Sequence, residues 1–193
     1  MSKNNTIVYL TAIIAIAGIA TFAFTFDQAS KVEAQSETLI HAGGALPKFT
    51  VDFLSKETKH AIVGTVVSIT PAEKVVNEEY SFTRIFSDVV IDVEKDLNSN
   101  YDGKQIAVRI QGGTMDGVTM TSENDAEFEV GERVLIFLGE KEPDSIWGDN
   151  YYVAGLEGGK YSLSNSKAYG SEHPDGIDER EFVQKIIQSR AGN

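Results

Sequence analysis

The chain has 193 residues, a formal net charge of −12, no cysteine, and 24% charged against 41% hydrophobic residues. That balance belongs to a globular chain with room for one sizeable core. It excludes a disulfide scaffold, a thiolate metal site, a cysteine nucleophile and a lipid-modified cysteine. The acidic excess repels phosphate backbones and anionic lipid, so no nucleic-acid partner is expected.

In chain order the first element is an uncharged apolar run from Ile7 to Phe26. As a helix it reaches about 30 Å, the thickness of a bilayer's hydrocarbon core. It is apolar on every side and terminal, which sets it apart from a buried core helix. Lys3 precedes it; Asp27, Glu33 and Glu37 follow, with Lys31 among them. Positive charge stays in the cytoplasm, so the remainder of the chain is expected outside. Residues 1–26 thus predict a signal anchor or a signal peptide, with the membrane as partner. The run exceeds the about 7–15 apolar residues of an ordinary signal peptide, which favours a retained single-pass anchor. Val32-Glu33-Ala34 nevertheless places small or modest residues where a signal peptidase reads, so cleavage and secretion stay open. The sequon Asn4-Asn5-Thr6 lies on the cytoplasmic side and is a chance match.

Residues 27–59 have no sustained period, are broken by Gly43-Gly44 and Pro47, and predict a stalk with a short helical turn around Phe53 to Thr58. Strand-like runs follow. Ile62 to Ile69 is closed by Pro71. Thr83, Ile85, Ser87, Val89, Ile91 and Val93 alternate against Arg84, Asp88, Asp92 and Glu94, as in a long half-buried strand. Phe86 and Val90 interrupt its wet face, so part of that face is expected to be covered. Ile106, Val108 and Ile110 alternate in the same way, and Val118 to Thr121 makes a short strand. Arg133 to Leu138 is apolar on both faces and predicts a central strand. Tyr151 to Gly155 and Lys160 to Leu163 complete the set. Glycine and asparagine turns separate these runs, and no long amphipathic helix lies between them. The pattern therefore predicts a small antiparallel barrel or sandwich over 60–163, with Ile85, Val89, Ile91, Ile106, Val108, Leu135 and Phe137 buried. Residues 164–193 predict a linker and then a helix over about 179–189. Asp178 is its N-cap, Glu181 its capping-box acid, Ile177 and Phe182 a hydrophobic staple, and Phe182, Val183, Ile186 and Ile187 one apolar stripe.

Several of these segments carry a resemblance. They are His60-Ala61-Ile62-Val63-Gly64-Thr65-Val66, the strand ending Val90-Ile91-Asp92-Val93-Glu94-Lys95, and Gln111-Gly112-Gly113. Phe128 to Leu138, Gly155-Leu156 and Gly159-Lys160-Tyr161 follow in the same order. Over residues 60–163 the chain resembles a group of poorly characterised exported bacterial and archaeal domains. Such domains look like OB-type barrels, comparable in layout to netrin-like inhibitor modules but without their cysteines. The resemblance implies export and a mainly β, OB-like barrel, and it carries no catalytic residue.

The loop Asp96-Leu97-Asn98-Ser99-Asn100-Tyr101-Asp102-Gly103 offers alternating oxygen side chains of the kind a Ca²⁺ site needs. A loop started at Asp96 wants glycine where Tyr101 stands. One started at Asn98 puts Arg109 where a bidentate glutamate belongs. Both registers fail, and a turn is expected. Glu123, Asp125, Glu127, Glu129 and Glu132 form an acidic stretch, expected as a solvated loop and strand edge. The three histidines, His41, His60 and His173, have no ligand spacing, and His60 is expected to cap the barrel. Trp147 is read as shielding a barrel end or, alternatively, as an exposed ligand platform. No catalytic residue, metal site or cofactor is therefore predicted. The favoured function is a non-catalytic extracytoplasmic binding or accessory module whose partner is another membrane or extracellular protein. The alternative is a metal-assisted hydrolase using the acidic loops.

Overall fold

The computed structural model describes residues 38–42, 48–77, 82–98, 101–143 and 145–191. The run Ile7–Phe26, its flanking charges, the sequon and Val32-Glu33-Ala34 lie outside the described residues. Among the described residues no helix is long and apolar enough to cross a membrane. In order the elements are β1 Thr38–Ala42, α1 Val51–Glu57, β2 His60–Ile69, β3 Glu73–Asn77, β4 Phe82–Asp96, β5 Gln105–Gln111, β6 Gly113–Met115 and β7 Val118–Ser122. They continue with β8 Arg133–Gly139, β9 Tyr151–Val153, β10 Lys160–Ser164, β11 Lys167–Gly170, β12 His173–Asp178 and α2 Glu179–Ala191.

The fold is mainly β, with a closed five-strand barrel and a C-terminal helix. The ring runs β2–β4–β5–β9–β8 and back to β2. An odd ring cannot alternate direction all the way round, so one seam must be parallel. It is the β5–β9 seam, where Val108 faces Tyr151 and Arg109 faces Tyr152. The expected antiparallel order holds at every other seam of the ring. The fifteen-residue β4 reaches both neighbours because it bends, with irregular register against β2 at Val63/Gly64 and Val66/Ser68. Gly64 permits this approach, since a Cβ there would lie 2.4 Å from the Asp92 carbonyl oxygen.

The barrel interior holds Ile62, Val66, Val89, Ile91, Ile106, Val108, Val134, Ile136, Leu138 and Val153, with Ala126 added from a loop. All seven residues expected in the core are buried. Leu135 and Phe137, however, face outward from the ring into a second core with Leu54, Tyr161, Phe182 and Ile186. The reason is the pleat. Residues 134 to 138 are buried on both faces, and successive side chains must serve opposite cores.

That second core draws on chain from both sides of 60–163. Residues read as stalk contribute α1, whose Val51 and Leu54 are almost fully buried. Thr50 caps it, accepting from the Phe53 amide at 3.2 Å, and the Val51 amide donates to Glu172 at 2.8 Å. Residues 38–42 form β1, which pairs in parallel with β7 beside β6 in a separate three-stranded sheet. Residues read as a linker after 164 form β11 and β12, which extend from β8 through β10. The β10–β11 turn uses Asn165 and Ser166 at φ 50° and 60°, a left-handed pair that sets a tight hairpin. The terminal helix is as expected. Asp178 Oδ1 accepts from the Arg180 and Glu181 amides at 3.0 and 3.1 Å, and Phe182 and Ile186 are buried.

Candidate functional site

The chain leaves the barrel after β9. It turns through Gly155 to Gly159 and then follows the same β8 edge as β10. Gly159 is required there, because a Cβ would stand 1.8 Å from the Ala154 carbonyl oxygen. At the barrel end where β2 and β5 finish, an open cleft of about 650 Å³ remains. That volume is in the range of ligand clefts. Its apolar lining is Ile69, Ile110, Met120, Ala126 and Phe128; its charged lining is Asp125, Glu127, Glu129, Glu132 and Lys160.

Within the cleft one polar cluster is closed on itself. The Lys160 ammonium and the Ser162 hydroxyl both donate to Glu132 Oε1. Lys160 also donates to Ser162 Oγ at 3.1 Å and lies 5.4 Å from the centre of the Phe128 ring. Asp125 is in a different state. Burial pushes its carboxyl above the usual carboxylate range, against a hydrogen bond from Ser122 and the charge of Arg84. Its buried Oδ2 has no hydrogen-bond partner.

At another end of β2 and β4 lies a buried pair. His60 Nδ1 is 2.9 Å from Asp96 Oδ2, and both side chains are nearly inaccessible. Asp96 also accepts from the amides of Ala61, Asn98 and Tyr101 at 3.3, 3.0 and 3.0 Å. Burial alone would raise this carboxyl. The hydrogen bonds from His60, Asn98 and Ala61 outweigh it and hold the group below its ordinary value. Both oxygens are consumed in tying the β4–β5 loop to the start of β2. His60 packs edge-on against Tyr101 and Tyr151, so it caps the barrel as expected.

This pair also explains the 96–103 loop. Asp96, its first oxygen donor, turns inward to amides and imidazole, and Ser99 and Asn100 lie outside the described residues. Among the described residues no group of three His, Asp or Glu side chains is placed to hold a metal ion. The acidic stretch does not converge. Glu123, Glu127 and Glu129 are exposed, Asp125 is half-buried, and Glu132 pairs with Lys160. His173 lies among Tyr161 and Phe182, and the side chain of His41 is outside the described residues. Trp147 stacks on Tyr152 with centroids 5.3 Å apart and meets Phe86 edge-on at 5.6 Å. With Arg109 above the same ring, it covers Phe86, which is fully buried. The interruption of the wet face of β4 is thus roofed by the β8–β9 connection.

Sequence reasoning missed the cleft. Lys160 and Ser162 are ordinary strand residues, and only the topology sets them beside Glu132, 28 and 30 residues earlier. One usable signal was present: acidic and apolar residues alternate from Asp125 to Val130. No protein-family model matches this chain, and no curated protein is significantly similar to it.

Proposed function

We propose that the chain is a non-catalytic binding or accessory module, delivered to the outer side of a membrane by the Ile7–Phe26 run. Its barrel is of OB type. The ring order supports that assignment: three meandering strands, then a fourth that pairs with the first, and a fifth inserted in parallel against the third. The observation that carries the binding reading is the open cleft at the barrel end, with a mixed apolar and acidic lining that no side chain of the described chain fills. The buried histidine–aspartate pair is spent on tying a loop. The partner is another membrane or extracellular protein.

The test is site-specific photocrosslinking in native membranes. A photoreactive residue at Ile69, in the cleft, should give a discrete adduct. The same residue at Lys185, exposed on α2 and outside the cleft lining, should not. Equal labelling from both positions, or none from Ile69, refutes the reading.

A further inference from the structure

Two backbone segments bordering the cleft have an edge that no strand covers among the described residues. β2 pairs with β8 only as far as Thr65, opposite Arg133, and Val66 then exchanges backbone bonds with Glu132 and Gly131. Beyond that point Ser68 and Ile69 pair with β4 on one side only. Val67 and Ile69 are 37% and 36% exposed, and Val130 beside them is 65% exposed. These are large apolar side chains left wet: Ile69 lines the cleft, and Val67 and Val130 are chain neighbours of residues near it. The second segment, 126–129, lies outside any strand yet alternates as one does: Ala126 buried, Glu127 exposed, Phe128 half-buried, Glu129 exposed.

The charge of this region is one-sided. Glu127 and Glu129 form no ion pair among the described residues, and the lysine lining the cleft is already paired with Glu132. An occupant that complements the surface therefore carries positive charge. It also carries apolar groups for Ile69, Phe128 and Val130, and backbone donors and acceptors for the open edge of β2. A strand repeats its same-face side chains every second residue, which matches alternating basic and apolar positions.

We infer that the cleft receives an extended, basic peptide segment of a partner protein, added along the free edge of β2 at residues 67–69. Lysine or arginine on one face meets Glu127 and Glu129, and apolar side chains on the other enter the cleft. This rests on the binding-module reading and names the class of partner.

The experiment uses the full chain in detergent micelles and fluorescent peptides read by anisotropy. An alternating Lys-Val peptide should bind at least about tenfold more tightly than the corresponding Glu-Val peptide, and raising salt should weaken it. Methylating its alternate backbone nitrogens should weaken it about tenfold, because strand addition needs those donors. The double variant Glu127→Gln with Glu129→Gln should weaken it about fivefold while leaving the melting temperature unchanged. Equal binding of the two peptides overturns the inference, as does indifference to the double variant. Full displacement by spermidine at the peptide's own concentration also overturns it, in favour of a small cation. If the Ile69 adduct forms in membranes while no basic peptide binds, the peptide assignment fails and the binding module stands. If neither is observed, both fail.

Discussion

Two neighbours on β4 give a sharp test of the register. Ile91 is fully buried in the barrel, opposite Val66 on β2 and Ile106 on β5. Asp92 is exposed, and its Oδ1 accepts from Gln105 Nε2 at 2.7 Å. Ile91→Ala removes buried groups from a closed ring that cannot collapse onto the gap, so the cost lies within about 2–5 kcal/mol. At a loss of about 3 kcal/mol and a urea slope of about 2 kcal/mol per molar, the unfolding midpoint falls by about 1.5 M. Asp92→Asn keeps the acceptor for Gln105 and should cost about 0.5 kcal/mol or less, a midpoint shift of about 0.25 M. Ile91→Asp places an unpaired charge in the ring and should prevent folding. The assay is urea unfolding of the full chain in micelles, followed by fluorescence of Trp147, the only tryptophan. That residue reports tertiary structure because it stacks on Tyr152. If Asp92→Asn were the more damaging change, every side chain of β4 would face the other way and the ring would be wrong by one residue.

Acid should weaken the fold partly through Asp96. Its carboxyl is held below 3.8 when folded, so the unfolded chain takes up the proton first. Its contribution is complete above that value and is lost as pH falls through the lower, folded one; Asp96→Asn should therefore flatten the stability profile in that range, and an unchanged profile from acid titration counts against the pairing. Calcium should do little. A ligand at 100 times its dissociation constant adds about 2.7 kcal/mol, so a real site would raise the melting temperature by several degrees. Millimolar Ca²⁺ should leave it unchanged, and a rise abolished by Asp102→Ala would revive the metal site. Protease added to intact cells should reach the chain beyond residue 40 or so; complete protection until lysis would put the domain on the other side of the membrane.

Much of the ring was legible because its strands are written in period two. Ile85, Val89 and Ile91 alternate against charged residues, so both the strand and its inner face follow from the pattern. The turn at Asp116-Gly117 was equally plain, and both residues sit at positive φ, 52° and 73°. What failed to show has physical reasons. A strand buried on both faces has no alternation, so Val134 to Leu138 revealed a central position but not which residues serve which core. β11 and β12 are short, polar and half exposed, with His173-Pro174 and Gly176 inside, and such sequences read as linker. The helical turn expected around Phe53 to Thr58 is present as α1, but its docking was not legible, because seven residues are held mainly by burying Val51 and Leu54 in a core assembled from distant segments. The cleft depends on pairings across dozens of residues, and His60 finds Asp96 36 residues away. Neither distance leaves a local trace.

The barrel is shut by its shortest strand. β9 has three residues and offers two register pairs to each neighbour, whereas β2 and β4 share seven. A closed ring with one thin seam behaves like a cuff with a clasp. It can part at β5–β9 while the broad β2–β4–β5 meander and the β2–β8 pairing stay intact. Opening there also frees the roof over Phe86, because Tyr152 belongs to β9 and carries Trp147 on its ring. Amide exchange at Tyr151 to Val153 should therefore run well ahead of that at Val134 to Leu138, and it should track the tryptophan's exposure rather than global unfolding. The seam expected to breathe lies across the ring from β2, and its short strand leads through Gly155 to Gly159 into β10, whose Lys160 lines the cleft.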